Sequence, residues 1–288
     1  MTPIKSKKQI AILMATYNGE RFLSEQIDSL LHQTNEDWHL YVHDDGSKDG
    51  TVSLLKRYQE QHPDRITLLG YPSQGGPCRN FLSMLDKVDA PYYMFCDQDD
   101  VWLPEKIALS FQEMTRQETV APDKPIVVHT DLHIVDEKLM TTYDSMWRHC
   151  GLYPQFIKTF SDTGGHTSVA TGCTMFFNHK AKECCQTVAT KAIMHDCWLC
   201  LCTLRCGGIV HGIPQPTVLY RQHGSNCLGS GTTKASDVNL LFRLRHFDQV
   251  FESNRNYYLM LRSLGYGSIL KYFYAKMKYK QRIKRGHY

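Results

Sequence analysis

No run of apolar residues in this chain approaches the roughly 20 needed to span a bilayer as a helix. The opening stretch MTPIKSKKQIAILMATYNG offers only about six consecutive apolar positions before polar residues return, which excludes a signal peptide on pattern and leads to the expectation of a cytoplasmic protein. The eleven cysteines are an odd number without a framework of paired spacings, so reduced thiols are expected rather than disulfides. Their densest group, Cys197, Cys200, Cys202 and Cys206 in HDCWLCLCTLRC, lacks the two separated ligand pairs of a zinc site and reads as small buried hydrophobes. Internal repeats and low-complexity tracts are absent as well.

What is present suits a large core. With 288 residues and 42% hydrophobic composition, the expectation is one large domain, or one domain with an appendage. The net charge of +4 conceals an asymmetry: residues 234–288 hold 12 Lys/Arg against 3 Asp/Glu, a net of +9, which leaves 4 − 9 = −5 on residues 1–233. The division expected is a body over 1–233 and a basic helical extension over 234–288.

The body alternates between two periods. QIAILMATYN is a short apolar run ending in turn residues, and ERFLSEQIDSLLHQ follows with Phe22, Ile27, Leu30 and Leu31 on one helical face. The same succession repeats through DWHLYVHDDGSKDGT, RITLLGY, YYMFCDQDD and PIVVHTDLHIVD, each strand-like run but the last followed by a helical one. VATGCTMFFN and TVLYRQHGSN read as later strands, and residues 141–168 as a loop region that shapes a pocket. Repeated strand-helix units predict an α/β fold with a mostly parallel central sheet flanked by helices. Polar sites of such sheets lie at the carboxyl ends of the strands, where TYN, DDGS and DQDD stand.

Of these, FCDQDDVWLPEK is the most demanding, because Asp97, Asp99 and Asp100 crowd together after an apolar strand. A solvated acidic turn is one reading. Burial beside VWLP would instead make unpaired carboxylates costly, and a hard cation such as Mg²⁺ or Mn²⁺ carrying phosphate oxygens would relieve that cost. DDGS alone is an ordinary turn, although a carboxylate there could also accept from the imide of a pyrimidine base, and Tyr17 could stack on that base. Asp196 opens a helical stretch, where an N-cap role competes with that of a base enclosed by Trp198 and His195.

The ordered series ATYNGERFLSEQIDSLLHQT, DDGSKDGT, DQDDVWLPEK, HDCWL and YRQHGSN resembles the family 2 glycosyltransferases of GT-A fold, in particular the bacterial rhamnosyltransferase-like branch that builds cell-surface polysaccharides. The resemblance covers roughly residues 8–230. It implies that Tyr17, Asp44 and Asp45 contact the nucleobase, that Asp97 touches the ribose or the metal, that Asp99 ligates Mn²⁺ or Mg²⁺, and that Asp196 is the catalytic base of an inverting transfer. His223 stands where some members place a further metal or diphosphate contact. Arg79, in SQGGPCRNF, could pair with the nucleotide or be solvated. Cys197 departs from the family, which often carries an aromatic residue after the base. The implied partners are a dTDP- or UDP-sugar donor, with rhamnose or a hexose as the sugar, and a glycan or lipid-linked glycan acceptor.

The tail SILKYFYAKMKYKQRIKRGHY interleaves aromatics with Lys and Arg. An anionic membrane surface on the inner face of the plasma membrane is expected to receive it, in preference to nucleic acid, with packing against the body as the competing reading. The rival activities are a sugar nucleotidyltransferase and a non-catalytic carbohydrate- or nucleic-acid-binding protein on the same sheet. The nucleotidyltransferase would want a glycine-rich basic loop after its first strand, where ATYNGERF holds one glycine and one arginine.

Overall fold

The computed structural model of the chain describes residues 3–165, 170–185, 191–224 and 247–285. In chain order the elements are β1 (Ile4–Lys5), β2 (Ile10–Thr16), α1 (Glu20–Leu31), β3 (Trp38–Asp44), α2 (Thr51–Gln61), β4 (Ile66–Leu68), α3 (Pro77–Lys87), β5 (Val88–Asp89), β6 (Tyr92–Cys96), β7 (Val101–Trp102) and α4 (Lys106–Val120). There follow β8 (Ile126–Val135), β9 (Thr141–Tyr143), α5 (Met146–Cys150), β10 (Met175–Asn178), α6 (His179–Cys185), α7 (His195–Arg205), β11 (Ile209–Arg221), α8 (Phe247–Ser263) and α9 (Ile269–Lys284).

Nine strands form one sheet in the order β4-β3-β2-β6-β10-β8-β11-β7, with β9 paired to β8. Strands β4, β3, β2 and β6 pair in parallel, and β11 pairs in parallel with β8. The short β10 lies antiparallel between β6 and β8, and β7 and β9 are likewise reversed. The sheet is thus mostly parallel in direction but mixed in pairing. Among the described residues of the VATGCTMFFN run, only Met175–Asn178 is strand, because Gly172–Thr174 closes a 3₁₀ turn ahead of it.

Alternation along the strands sorts side chains to two faces. Leu13, Tyr41, Phe95, Val127 and Phe177 point into a core shared with α3 and α7, while Ile12, Leu40, Met94, Val128 and Phe176 face α1 and α4. The described residues of the C-terminal helices pack on the body: Tyr257, Met260, Leu261, Leu264, Tyr266 and Tyr272 join the first of these clusters, and Tyr279 packs with Ile157 and Leu204. The expected boundary at 233/234 lies outside the described residues. Helix α9 presents two faces, with Tyr272, Ala275 and Tyr279 buried and Leu270, Phe273, Tyr274 and Met277 exposed.

Register aligns the strand ends. Thr16 pairs with Asp44, and Met14 with Cys96, so TYN, DDGS and DQDD emerge along a single edge of the sheet.

Candidate active site

The three strand-end segments are held together by side-chain bonds to backbone: the Asn18 amide donates to the Ser47 hydroxyl and the Asn18 side chain accepts from the Lys48 amide, both at 2.8 Å. Gln98 brackets Tyr17, accepting from its N–H at 2.9 Å and donating to its carbonyl at 3.0 Å. The phenol ring of Tyr17 is left 54% exposed, a free aromatic face at the mouth of the site.

Asp44 and Asp45, expected as direct base contacts, are occupied by the chain itself. Asp44 accepts from the Thr16 hydroxyl at 2.9 Å, the Gly46 and Ser47 amides at 3.0 and 2.8 Å, and the Ser47 hydroxyl at 2.6 Å. Asp45 accepts from the Ser73 hydroxyl and from the successive amides of Gln74, Gly75 and Gly76. Burial pushes the Asp45 carboxyl up, but the Gly76 and Gln74 amides outweigh it and hold the group below the usual carboxylate range. A carboxylate offers about four acceptor sites, two per oxygen, so Asp44 is saturated, whereas Asp45 takes three donors on Oδ1 and one on Oδ2 and keeps an open site on Oδ2. The loop at 73–76 can wrap Asp45 because Gly75 and Gly76 take φ values of +76° and +126°, which side-chain-bearing residues rarely adopt. Helix α3 starts directly after this loop, with Arg79 exposed in its first turn.

The acids of DQDD follow a different rule. Asp97, Asp100 and Cys173 offer ligand atoms within 4.8 Å of one another. Asp99 instead meets His223, Oδ2 to Nε2 at 2.8 Å. The structure therefore brings together the predicted Asp97, Asp99 and His223, but as two adjacent donor sets rather than one. Burial raises the Asp97 carboxyl, and the neighbouring Asp99 and Asp196 raise it further. Burial, then Asp99 and Asp97, push Asp100 well up against the opposing Arg221 amide. One Asp100 oxygen has no hydrogen-bond partner.

Sequence reasoning missed the protein's own cations here. Arg221, 1% exposed, donates to the Asp99 carbonyl at 2.8 Å, the Glu137 carbonyl at 2.7 Å and the Glu25 carboxylate at 2.7 Å, while its amide donates to Asp100 at 3.1 Å. It thereby ties the end of β11 to the DQDD turn and to α1. Its place in YRQHGSN, two residues before His223, was the available signal. Lys106 lies fully buried over the Trp102 ring at 4.5 Å with no hydrogen-bond partner for its ammonium. Burial lowers it to about 8 against the pull of Cys173, Cys96 and Asp100. Cys173, distant in sequence from the acids, gave no signal.

Asp196 stands in the first turn of α7, facing the same cluster. It accepts from the Cys197 amide at 2.6 Å and the Gly172 amide at 3.1 Å. Burial nevertheless raises it to about 6, because two neutral donors do not replace the water it has lost. The turn Gly172–Thr174 thus serves both parts of the site, with Gly172 holding Asp196 and Cys173 approaching Asp97 and Asp100. A Cβ on Gly172 would fall 2.7 Å from His195 Nε2, so glycine allows the approach. His195 itself is packed on Phe81 and Phe95 at 4.1 and 4.7 Å, and burial lowers it to about 3. It is core rather than catalyst. Along α7, Cys200 and Cys202 are buried in the shared core while Cys206 is exposed.

The donor set can be tested against a hard divalent cation. Carboxylates suit Mn²⁺ and Mg²⁺, an imidazole suits Mn²⁺ the better of the two, and the buried Asp100 oxygen without a hydrogen-bond partner marks a place where a cation would replace the proton that burial holds there. Cys173 does not suit such an ion, since burial and the nearby Asp100 and Asp97 keep its thiol protonated. The fitting donors are Asp97, Asp99 and His223, with Asp100 behind them.

The chain matches a known family and several known proteins. The description "Glycosyl transferase family 2" matches residues 11–184. The dTDP-rhamnosyl transferase RfbG of Shigella flexneri is 28% identical over 226 residues, spanning 75% of this chain and 74% of that protein. Among solved structures, S. aureus TarS 1-349 in complex with UDP superposes with a TM-score of 0.57 at 13% identity, covering 97% of this chain and 92% of that one. The mannosyltransferase PcManGT of Pyrobaculum calidifontis, in complex with GDP-Man and Mn²⁺, gives the same TM-score at 13% identity over 96% of this chain and 81% of its own. At these identities the structural likeness establishes the fold.

Proposed function

The chain belongs to glycosyl transferase family 2 and has the GT-A fold, and from that premise we propose an inverting transfer of a sugar from a nucleotide-sugar donor to a growing cell-surface glycan. The likeness to a dTDP-rhamnosyl transferase makes dTDP-rhamnose the first donor to try, with UDP-hexoses next. A lipid-linked glycan is the acceptor in this reading.

The observation that carries it is the position of Asp196: a carboxylate raised to about 6, fixed by two amides, beside the acidic strand ends. A base poised near the working pH removes a proton efficiently. The Asp196 carboxylate takes the proton of the acceptor hydroxyl as that oxygen bonds to the anomeric carbon. The bond from that carbon to the diphosphate breaks on the opposite face, and its electron pair leaves with the nucleoside diphosphate. Inversion follows from the single displacement.

Tyr17 supplies the stacking face for the base. Asp44, whose oxygens are taken up by the chain, builds the wall of the base pocket through the loop it holds, and Asp45 offers the base imide the open site on its Oδ2. Arg79 stands at the rim as a charge for the diphosphate. Asp97, Asp99 and His223 would hold Mn²⁺ or Mg²⁺, which when bound neutralises charge on the departing diphosphate. Arg221 ties the DQDD turn to β11 and to α1, and Lys106 lies beside Asp100, so the turn is held in place before any ligand arrives.

Helix α9 carries six Lys/Arg between Ile269 and Lys284 and no acid. Its exposed Leu270, Phe273, Tyr274 and Met277 suit the interface of an anionic bilayer, which would place the enzyme peripherally on the inner face of the plasma membrane. No helix among the described residues is long and apolar enough to cross a membrane.

The test is turnover of dTDP-rhamnose and UDP-hexoses with Mn²⁺, wild type against Asp196→Asn. A drop of about 10²–10⁴-fold in transfer with nucleotide binding retained supports the reading. Equal turnover in the two proteins sinks it.

A further inference from the structure

A cavity of about 1170 Å³ opens beside the first half of β11. It is bounded by α5 and by the 3₁₀ turn at Pro154–Phe156. Trp147 and Tyr153 give it aromatic walls, and Arg148, Gln155 and Lys158 line it with polar groups. Gly212 makes the floor: a Cβ there would come 2.8 Å from Trp147 Cη2, so only a bare backbone lets the indole lie against the strand.

Its place in the molecule is informative. The Thr171 hydroxyl meets the Met146 sulfur at 3.6 Å, joining α5 to the turn whose Gly172 holds Asp196. On the other side, the Tyr153 amide donates to the Tyr279 hydroxyl at 3.2 Å and Arg282 donates to the Phe156 carbonyl at 3.0 Å, joining the cavity wall to α9. The walls of the cavity are therefore tied on one side to the turn that holds Asp196 and on the other to the basic helix. Pro214 and Pro216 sit on its strand edge and deny an added β-strand the amides it would need.

We infer that this cavity is a binding site for the acceptor saccharide, holding the sugar residues of the growing glycan that precede the reacting hydroxyl. Planar aromatic walls with a few separated polar groups match pyranose rings, which present an apolar C–H face and an equatorial rim of hydroxyls. The volume exceeds the 300–1,000 Å³ or so of small-molecule pockets, as a site for several linked sugars requires. The inference rests on the transferase reading above, and the experiment separates the two.

Wild type, the double variant Arg148→Ala/Lys158→Ala and the groove-filling Gln155→Trp are assayed with rhamnose-, glucose- and N-acetylglucosamine-terminated trisaccharides. All three substituted side chains are exposed, so the fold is expected to persist, and circular dichroism melts check this. The readouts are acceptor KM, acceptor-independent donor hydrolysis, and trisaccharide binding followed by saturation-transfer NMR. Expected is a rise of about tenfold or more in acceptor KM, the scale of one or two lost charge-assisted hydrogen bonds, with donor hydrolysis and donor KM unchanged. Unchanged acceptor KM in both variants overturns the inference. So does an equal loss of donor hydrolysis, and so does a wild type that hydrolyses donor yet neither binds nor extends any trisaccharide. Absence of donor turnover in wild type, with trisaccharides still bound and displaced by Gln155→Trp, instead overturns the transferase reading and leaves the saccharide site standing.

Discussion

Replacing Asp196 with asparagine should inactivate the protein and, at neutral pH, stabilise it. The carboxyl is raised from the ordinary 3.8 to about 6, chiefly by burial. At about 1.36 kcal/mol per unit, keeping it ionised in the folded state costs about 3 kcal/mol above pH 6. The sign follows from proton binding. Between pH 4 and 6 the folded state holds a proton that the unfolded state has released, so wild-type stability falls as pH rises through that window. Asparagine carries no such charge but can accept through one oxygen only, so one of the two amide bonds from Cys197 and Gly172 is lost, at about 1–3 kcal/mol. The two effects leave Asp196→Asn near neutral to about 2 kcal/mol more stable than wild type at pH 7.5. At pH 4, where wild type is largely protonated, the variant should be the less stable by about 1–3 kcal/mol. Urea unfolding of both proteins at pH 4.0 and 7.5 gives the comparison. A stability difference that does not change with pH, or that moves the other way, would refute the account of Asp196 as a burial-raised carboxylate.

Activity should rise with pH through about 6 as Asp196 ionises, and a kcat/KM profile flat between pH 5 and 7.5 would contradict its role as base. Gly172→Ala should lower stability by about 1–3 kcal/mol, because the new methyl meets a His195 ring held by Phe81 and Phe95; an unshifted melting temperature would show that the ring yields. Arg221→Met should cost about 1–3 kcal/mol through the Asp99 and Glu137 carbonyls it strands, with little from the half-exposed Glu25, measured by the same urea titration. Asp99→Asn and His223→Ala should each raise the Mn²⁺ concentration giving half-maximal turnover by about tenfold or more, and equal metal titrations would remove both from the metal site. For the membrane face, Leu270→Ser/Phe273→Ser/Met277→Ser is a cleaner perturbation than truncation, since α9 also buries Tyr272 and Tyr279; undiminished co-sedimentation with anionic liposomes would exclude that face.

The strand and helix order of the first half was legible because its signals are local. β2, β3, β6 and β8 are apolar runs closed by turn residues, and α1 shows a clean amphipathic period. Parallel alignment then follows from the helices between them, and with it the gathering of Tyr17, Asp44, Asp97 and Asp99 at one edge. The antiparallel insertion of β10 was not legible, because TMFF carries no mark of direction and its neighbours are chosen by the whole sheet. Asp44 and Asp45 look alike on paper to Asp97 and Asp100. Their fates differ because the first two each find several donors in nearby loops while Asp100 is sealed with one oxygen unpartnered.

Composition and pattern by themselves determined that this chain folds as a strand-helix sheet with acids at the strand ends and a basic aromatic tail, since those features depend on residues within a turn or two of one another. The tertiary structure alone decided that Gly172 fixes Asp196, that Arg221 and Lys106 lie among the acids, and that α9 shares the core while exposing an apolar stripe. Each of these joins residues far apart along the chain, and burial, which sets their charge and reactivity, exists only once the sheet has closed around them.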